Sequence, residues 1–141
     1  LPVVGARTKL QPVYVGDVGK AVCTAALNPA EHGGKTYELG GPEILSMHDL
    51  LAFICRETGR HDRLVDVPDA VAGAIARTTG WLPGAPITWD QWLMLQQDNV
   101  AGSDAKGLKA LGITPTPLAA VTENWLTAYR RHGRFAAKSP Y

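Results

Sequence analysis

The stretch Lys9-Leu10-Gln11-Pro12-Val13-Tyr14-Val15-Gly16-Asp17-Val18-Gly19-Lys20-Ala21 constrains the fold more than any other, because it sets strand, turn and helix signals side by side. Val13, Tyr14 and Val15 are β-formers, and Gly16-Asp17 breaks the run and offers a carboxylate to the free N–H groups of a following helix. Beyond Asp17, the residues Val18, Ala21, Val22, Ala25 and Ala26 recur at the i, i+3, i+4, i+7, i+8 spacing of one helical face. The stretch reads as strand, N-cap, helix, the unit from which α/β proteins are built.

The rest of the chain repeats the theme with short strands and capped helices. Leu1 to Lys9 is an approach segment with no periodic signal. Asn28-Pro29 ends the first helix, since the residue before proline is pushed out of the α region. Thr36-Tyr37-Glu38-Leu39 alternates as a short strand between Gly33-Gly34-Lys35 and Gly40-Gly41-Pro42. Ser46 and Asp49 form a variant capping box before a helix with Met47, Leu50, Leu51, Ile54 and Cys55 on one face, stopped at Gly59. Leu64 to Val67 is a strand ending at Pro68, and Asp69 opens a helix that is small and apolar nearly all round. Thr88 with Gln91 is a second capping box, and Ile87 with Trp92 a hydrophobic staple. Ser103-Asp104 caps a short helix with Leu108 and Leu111 inward, ended by Gly112. Thr116-Pro117 opens a last helix whose buried stripe is Leu118, Val121, Trp125, Ala128 and Tyr129, stopping near Gly133. Residues 1–133 are thus expected to form one domain, and 134–141 a mobile tail.

A chain of 141 residues can bury a core without staples. Its charged fraction of 19% lies below the ~25% usual for soluble domains, so part of its surface is expected to be apolar and covered by a partner. The net charge of +1 and pI near 8.0 give no field that argues for nucleic acid. The basic clusters Arg56, Arg60, His61, Arg63 and Arg130, Arg131, His132, Arg134 read as cations at helix C-termini. Cys23 and Cys55 read as small buried groups in a reducing compartment. No run of about 18 apolar residues suggests a transmembrane span, and no signal peptide is recognisable. The chain starts without Met, and a fragment of a longer protein is expected.

Three ordered segments resemble one family. Pro12 to Ala21, in the pattern P-V-Y-V-x-D-V-x-x-A, is similar to the segment after the catalytic core of extended and atypical short-chain dehydrogenases/reductases. Lys35 to Glu43 resembles their Y-x-L-x-G-P segment, and Asp104 to Pro115 resembles the element before their last helix. Thr8-Lys9-Leu10-Gln11 is similar to the branch containing the dehydrogenase-like accessory subunit of respiratory complex I. The resemblance implies a helix-rich α/β fold: the C-terminal, substrate-side domain of a Rossmann-type dehydrogenase, with short strands and about five helices, lacking the nucleotide-binding half. It also implies NAD or NADP in the full-length parent, and an upstream nucleotide-binding domain and respiratory complex I subunits as partners. The location implied is cytoplasmic, peripheral at the inner membrane.

The chain lacks the family's chemical signatures. No G-x-x-G-x-x-G or G-x-G-x-x-G loop is present to cradle a pyrophosphate at a helix N-terminus. None of Tyr14, Tyr37, Tyr129 or Tyr141 has lysine four residues later, so the Tyr-x-x-x-Lys pair is missing. The four histidines lack metal-site spacing, and no G-x-S-x-G elbow marks a nucleophile. No catalytic, cofactor-binding or metal-binding residue is therefore expected in this segment. Candidates on the substrate side are Arg7, Lys9 and Gln11, leading into the opening strand, and Trp89 and Trp92, which with Trp81 and Leu82 suit a cleft lining, a docking surface or ordinary core. The two functional readings are a substrate-cleft domain of an oxidoreductase or epimerase and a non-catalytic accessory domain of a respiratory assembly. A free-standing binding module is the third.

Overall fold

The computed structural model describes residues 1–61 and 63–130; Asp62, residues 131–141 and the side chains of Glu123 and Asn124 lie outside the description. The expected helix end near Gly133 and the tail 134–141 fall among the latter. In order the elements are β1 (Pro2–Val3), β2 (Lys9–Leu10), α1 (Val15–Leu27), α2 (Pro29–His32), β3 (Leu45–Ser46), α3 (Met47–Glu57), β4 (Val65–Asp66), α4 (Asp69–Thr79), α5 (Trp89–Met94) and α6 (Leu118–Trp125), with 3-10 turns at Leu108–Leu111 and Leu126–Tyr129. The class is α/β and helix-rich, as expected.

The strands form two small sheets. β1 pairs in parallel with β4, with Val3 opposite Asp66, and β2 pairs antiparallel with β3, with Lys9 opposite Ser46. An isolated parallel bridge from Leu10 to Asn99 widens the second sheet. β1 comes from the segment expected to be irregular, because two paired residues are too few to show alternation.

Local side-chain caps set the starts of α3 and α5. Ser46 Oγ accepts the Asp49 N–H at 3.0 Å and donates to the Asp49 carboxylate at 2.6 Å. Thr88 and Gln91 complete the reciprocal capping box of α5. Gly59 and Gly112 sit at φ 65° and 71° where chain reversals end α3 and the first 3-10 turn, a conformation that glycine adopts without penalty.

The opening stretch departs from expectation. Pro12 supplies no N–H, so strand pairing stops at Leu10 and α1 begins at Val15, with Tyr14 extended at the N-cap. Asp17 lies in the first turn and does not cap α1. It is fully buried, and its Oδ2 accepts the backbone N–H of Thr116 at 2.7 Å while Lys20 Nζ stands 3.2 Å from Oδ1. Two residues on, Leu118 N–H donates to Glu43 Oε2 at 2.9 Å. α6 has no cap hydrogen bond from its own N-cap residue, Pro117; two distant carboxylates hold its start.

Four more expectations change. Thr36 to Leu39 forms no strand; its ties are single ones such as Glu38 N–H to the Lys106 carbonyl at 3.0 Å. Ser103-Asp104 does not cap the turn at Leu108–Leu111, whose N-cap is Gly107. Cys23 is exposed, because only Asp17 and Ala21 of α1 turn fully inward, and Cys55 is half-buried on α3, which buries no residue fully. Trp125 and Tyr129 are exposed, since Thr122 and Leu126 take the inward positions of the last helix.

The core is thin. Ala21, Leu108 and Leu111 are buried together, with Val13, Tyr37, Leu39 and Ile113 packed around them. A second centre holds Ala72 and Ala76 of α4, where Gly73 lies directly beneath the Trp92 indole. Sixteen large apolar side chains stand exposed among the described residues against eight buried apolar ones, so much apolar surface is left uncovered.

Gln11 ties the loops together. Its Nε2 donates to the Gly41 carbonyl at 2.8 Å and its Oε1 accepts the Ala101 N–H at 2.9 Å. Gln11→Ala leaves both backbone groups unpaired and is expected to cost about 1–3 kcal/mol in denaturant unfolding, whereas exposed Lys9→Ala is expected to stay within about 0.5 kcal/mol. The Thr116 hydroxyl and N–H, then Lys20, hold the Asp17 carboxyl below its ordinary 3.8. Its contribution is fully present above that pH and is lost as pH falls through the lowered value. Asp17→Asn is therefore expected to lower the thermal midpoint at neutral pH and to flatten its decline on acidification; an unchanged acid limb would show that Asp17 does not drive it.

Candidate functional site

Residues 5–8 wall a polar concavity, and the path of the chain from Gly5 to Gln11 is fixed by backbone partners. Gly5, at φ 62°, turns the chain out of β1, and a Cβ there would meet Leu95 and Thr8. The Ala6 and Thr8 carbonyls accept the N–H groups of His48 and Met47 at 3.1 and 2.9 Å. The Thr8 hydroxyl donates to the Leu95 carbonyl. Lys9 N–H donates to Asp98 Oδ1 at 2.8 Å, and the Lys9 carbonyl accepts Asn99 N–H at 2.8 Å.

Between this segment, the end of β4 and the chain after α5 lies a cleft of about 550 Å³. Arg7 and Thr8 form one wall, Asp66 to Asp69 a second, and Leu95, Gln96 and Asp98 a third. His48 stands behind Asp66, with Nδ1 2.6 Å from Oδ1. Asp66, Asp69 and Asp98 line the cleft with Arg7, the Asp66 carboxylate engaged by His48 and that of Asp98 by the Lys9 N–H. A second concavity of about 680 Å³ is apolar, lined by Tyr14, Val15, Leu118, Val121 and Trp125 among others.

Of the sequence candidates, the structure brings Arg7 alone to the polar cleft. Lys9 is exposed and outside it. The Gln11 side chain is occupied by Gly41 and Ala101. Trp89 and Trp92 stack on each other at 4.8 Å and line neither concavity; Trp92 faces Gly73, and its buried Nε1–H has no acceptor among the described residues. The His48–Asp66 pair escaped sequence reading because eighteen positions separate the two residues, and they meet only because β1 pairs with β4 while β2, a few residues on, pairs with β3 just before α3.

The Gly40-Gly41 turn does not fit a dinucleotide phosphate. It faces its own chain: a Cβ on Gly40 would meet the Gln11 amide, and one on Gly41 would collide with the Pro12 carbonyl. The space a phosphate would need is filled. Among the described residues no three His, Cys, Asp or Glu side chains group as metal ligands. No helix among them is long and apolar enough to cross a membrane.

No family model matches the chain. Among curated proteins, it is 32% identical to the Arabidopsis thaliana protein named NADH dehydrogenase [ubiquinone] 1 alpha subcomplex subunit 9, mitochondrial, over 94% of this chain and 36% of that protein. The Rattus norvegicus protein of the same name is 36% identical over 81% of this chain and 30% of its own length. The Neurospora crassa NADH-ubiquinone oxidoreductase 40 kDa subunit, mitochondrial, is 30% identical over 93% of the chain and 35% of its own length. The chain spans about a third of the length of these relatives, and over that third it is a homologue of the alpha subcomplex subunit 9 and 40 kDa subunit proteins.

Proposed function

We propose that this chain is the C-terminal, substrate-side part of an NAD(P)-binding protein of the short-chain dehydrogenase type, associated at the membrane periphery with a respiratory NADH dehydrogenase. The carrying observation is similarity along 94% of the chain to a protein named as an NADH dehydrogenase subunit. The dinucleotide would be held by another part of the protein, because the Gly-Gly turn here is filled by Gln11 and Pro12. This chain would close the open side of that cofactor domain and present Arg7 and the Asp66–Asp69 wall to whatever enters. Its exposed apolar side chains suit such a covered position.

An accessory reading without turnover is favoured by one feature: Trp81, Leu82, Trp89, Leu93 and Met94 are exposed on or just before α5, outside both concavities. Under that reading they dock a neighbouring subunit and Arg7 is dispensable for assembly. Purified full-length protein is expected to bind NADH or NADPH, measured by nicotinamide fluorescence, and to co-purify with the respiratory enzyme. Arg7→Ala is expected to leave dinucleotide affinity within about twofold and lower any turnover by tenfold or more. Full-length protein that binds neither dinucleotide overturns the proposal; binding without turnover, with co-purification lost in Trp89→Ala, selects the accessory reading.

A further inference from the structure

β1 and β4 form a parallel sheet of two strands, an arrangement whose edges proteins ordinarily pair or cover. The Leu1 nitrogen donates to the Arg63 carbonyl at 2.7 Å, Val65 N–H to the Leu1 carbonyl at 3.0 Å, and Val67 N–H to the Val3 carbonyl at 2.8 Å. The stretch tied to β1 therefore runs from Arg63 to Val67, beyond the two residues of β4 itself. Backbone polar groups alternate in direction along a strand, so the N–H and C=O of Leu64 and Asp66 point away from β1. None of these four groups has a partner among the described residues.

The opposite edge of the sheet is closed to pairing. Pro2 holds the outward position of β1 and carries no N–H. The open edge is that of β4.

The side chains along this edge are uncovered as well. Val65 is 66% exposed. Arg63 and, before it, Arg60 are exposed, and neither has a carboxylate partner among the described residues. Successive side chains alternate between the faces of a strand, so Arg63 and Val65 share one face and Leu64 and Asp66 the other. On its own face the Asp66 carboxylate is engaged by His48. An open edge with an unpaired guanidinium and a β-branched side chain on one face fits an extended segment that carries an acid two residues from an apolar side chain. A second copy of β4 does not meet that requirement, because Val65 and Val67 accompany Arg63 on its face and no acid does.

We propose that the outer edge of β4 docks an extended acidic segment of a partner protein, which adds to β1 and β4 as a third strand and sets a carboxylate beside Arg63. The edge belongs to the chain whether or not the protein binds a dinucleotide.

The test uses the intact protein and a synthetic peptide of about eight residues, a repeat of Glu-Thr-Val-Thr that puts glutamate and valine on one face. Amide hydrogen exchange at Leu64 and Asp66 is expected to slow about tenfold or more with the peptide near about 1 mM. A peptide with lysine in place of glutamate is expected to bind about tenfold more weakly, and one N-methylated at every residue, which has no donor for the ladder, to protect neither amide. Arg63→Glu is expected to reverse the order of the glutamate and lysine peptides, a change that loss of folding does not produce. The exchange measurements use unsubstituted protein and decide the matter even where that variant misfolds. Amides of Leu64 and Asp66 already slow without peptide, no protection near about 1 mM, protection by the N-methylated peptide, or equal binding of the glutamate and lysine peptides overturns the proposal.

Discussion

The fold depends on keeping the backbone of residues 1–11 hydrogen-bonded as it runs between elements distant in sequence. Buried N–H and C=O groups must find partners, and too little regular sheet exists here to supply them. They are found one at a time: β4 at Leu1 and Val3, the start of α3 at Ala6 and Thr8, the chain after α5 at Lys9 and Gln11. Gln11 closes the series by bridging Gly41 and Ala101. The same path places Arg7 on the cleft wall, so the polar cavity is a consequence of how this segment satisfies its own backbone.

That arrangement explains which parts of the fold were legible in the sequence. Ser46 with Asp49, Thr88 with Gln91 and Gly112 act within a few residues of themselves, and each does what its local pattern requires. Asp17 carries the same kind of local signal but turns to Thr116, far along the chain, because a buried carboxylate gains more from a partner inside the fold than from N–H groups that water can reach. Thr36 to Leu39 has the composition of a strand yet meets no neighbouring strand to complete a ladder. β propensity describes fitness for a paired, half-buried surface, and without a partner strand the segment forms no ladder.

The candidate site divides along the same line. Arg7 could be nominated because it leads into a predicted strand. The Asp66 wall and its His48 partner could not, since their proximity is created by the β1–β4 and β2–β3 pairings, whose strands are two residues long. The tryptophans were legible as a hydrophobic cluster, but spacing alone does not tell core from cleft. Gly73 settles the place of Trp92: without a side chain there, α4 and α5 approach closely enough for the indole to lie against the helix backbone.

The final helix shows how far such long-range ties reach. Its first N–H groups carry the positive end of the helix dipole, and Asp17 and Glu43 supply negative charge at Thr116 and Leu118 from α1 and from the loop before β3. Its far side is fixed again at Glu57 by Arg130. The last described turns are thus held by three carboxyl-bearing residues from the first half of the chain. These ties offset the entropy of closing a loop of roughly a hundred residues with polar contacts, beside a thin apolar core. They also make the relative position of the α3 and α6 ends depend on contacts with α1, the loop before β3 and Glu57.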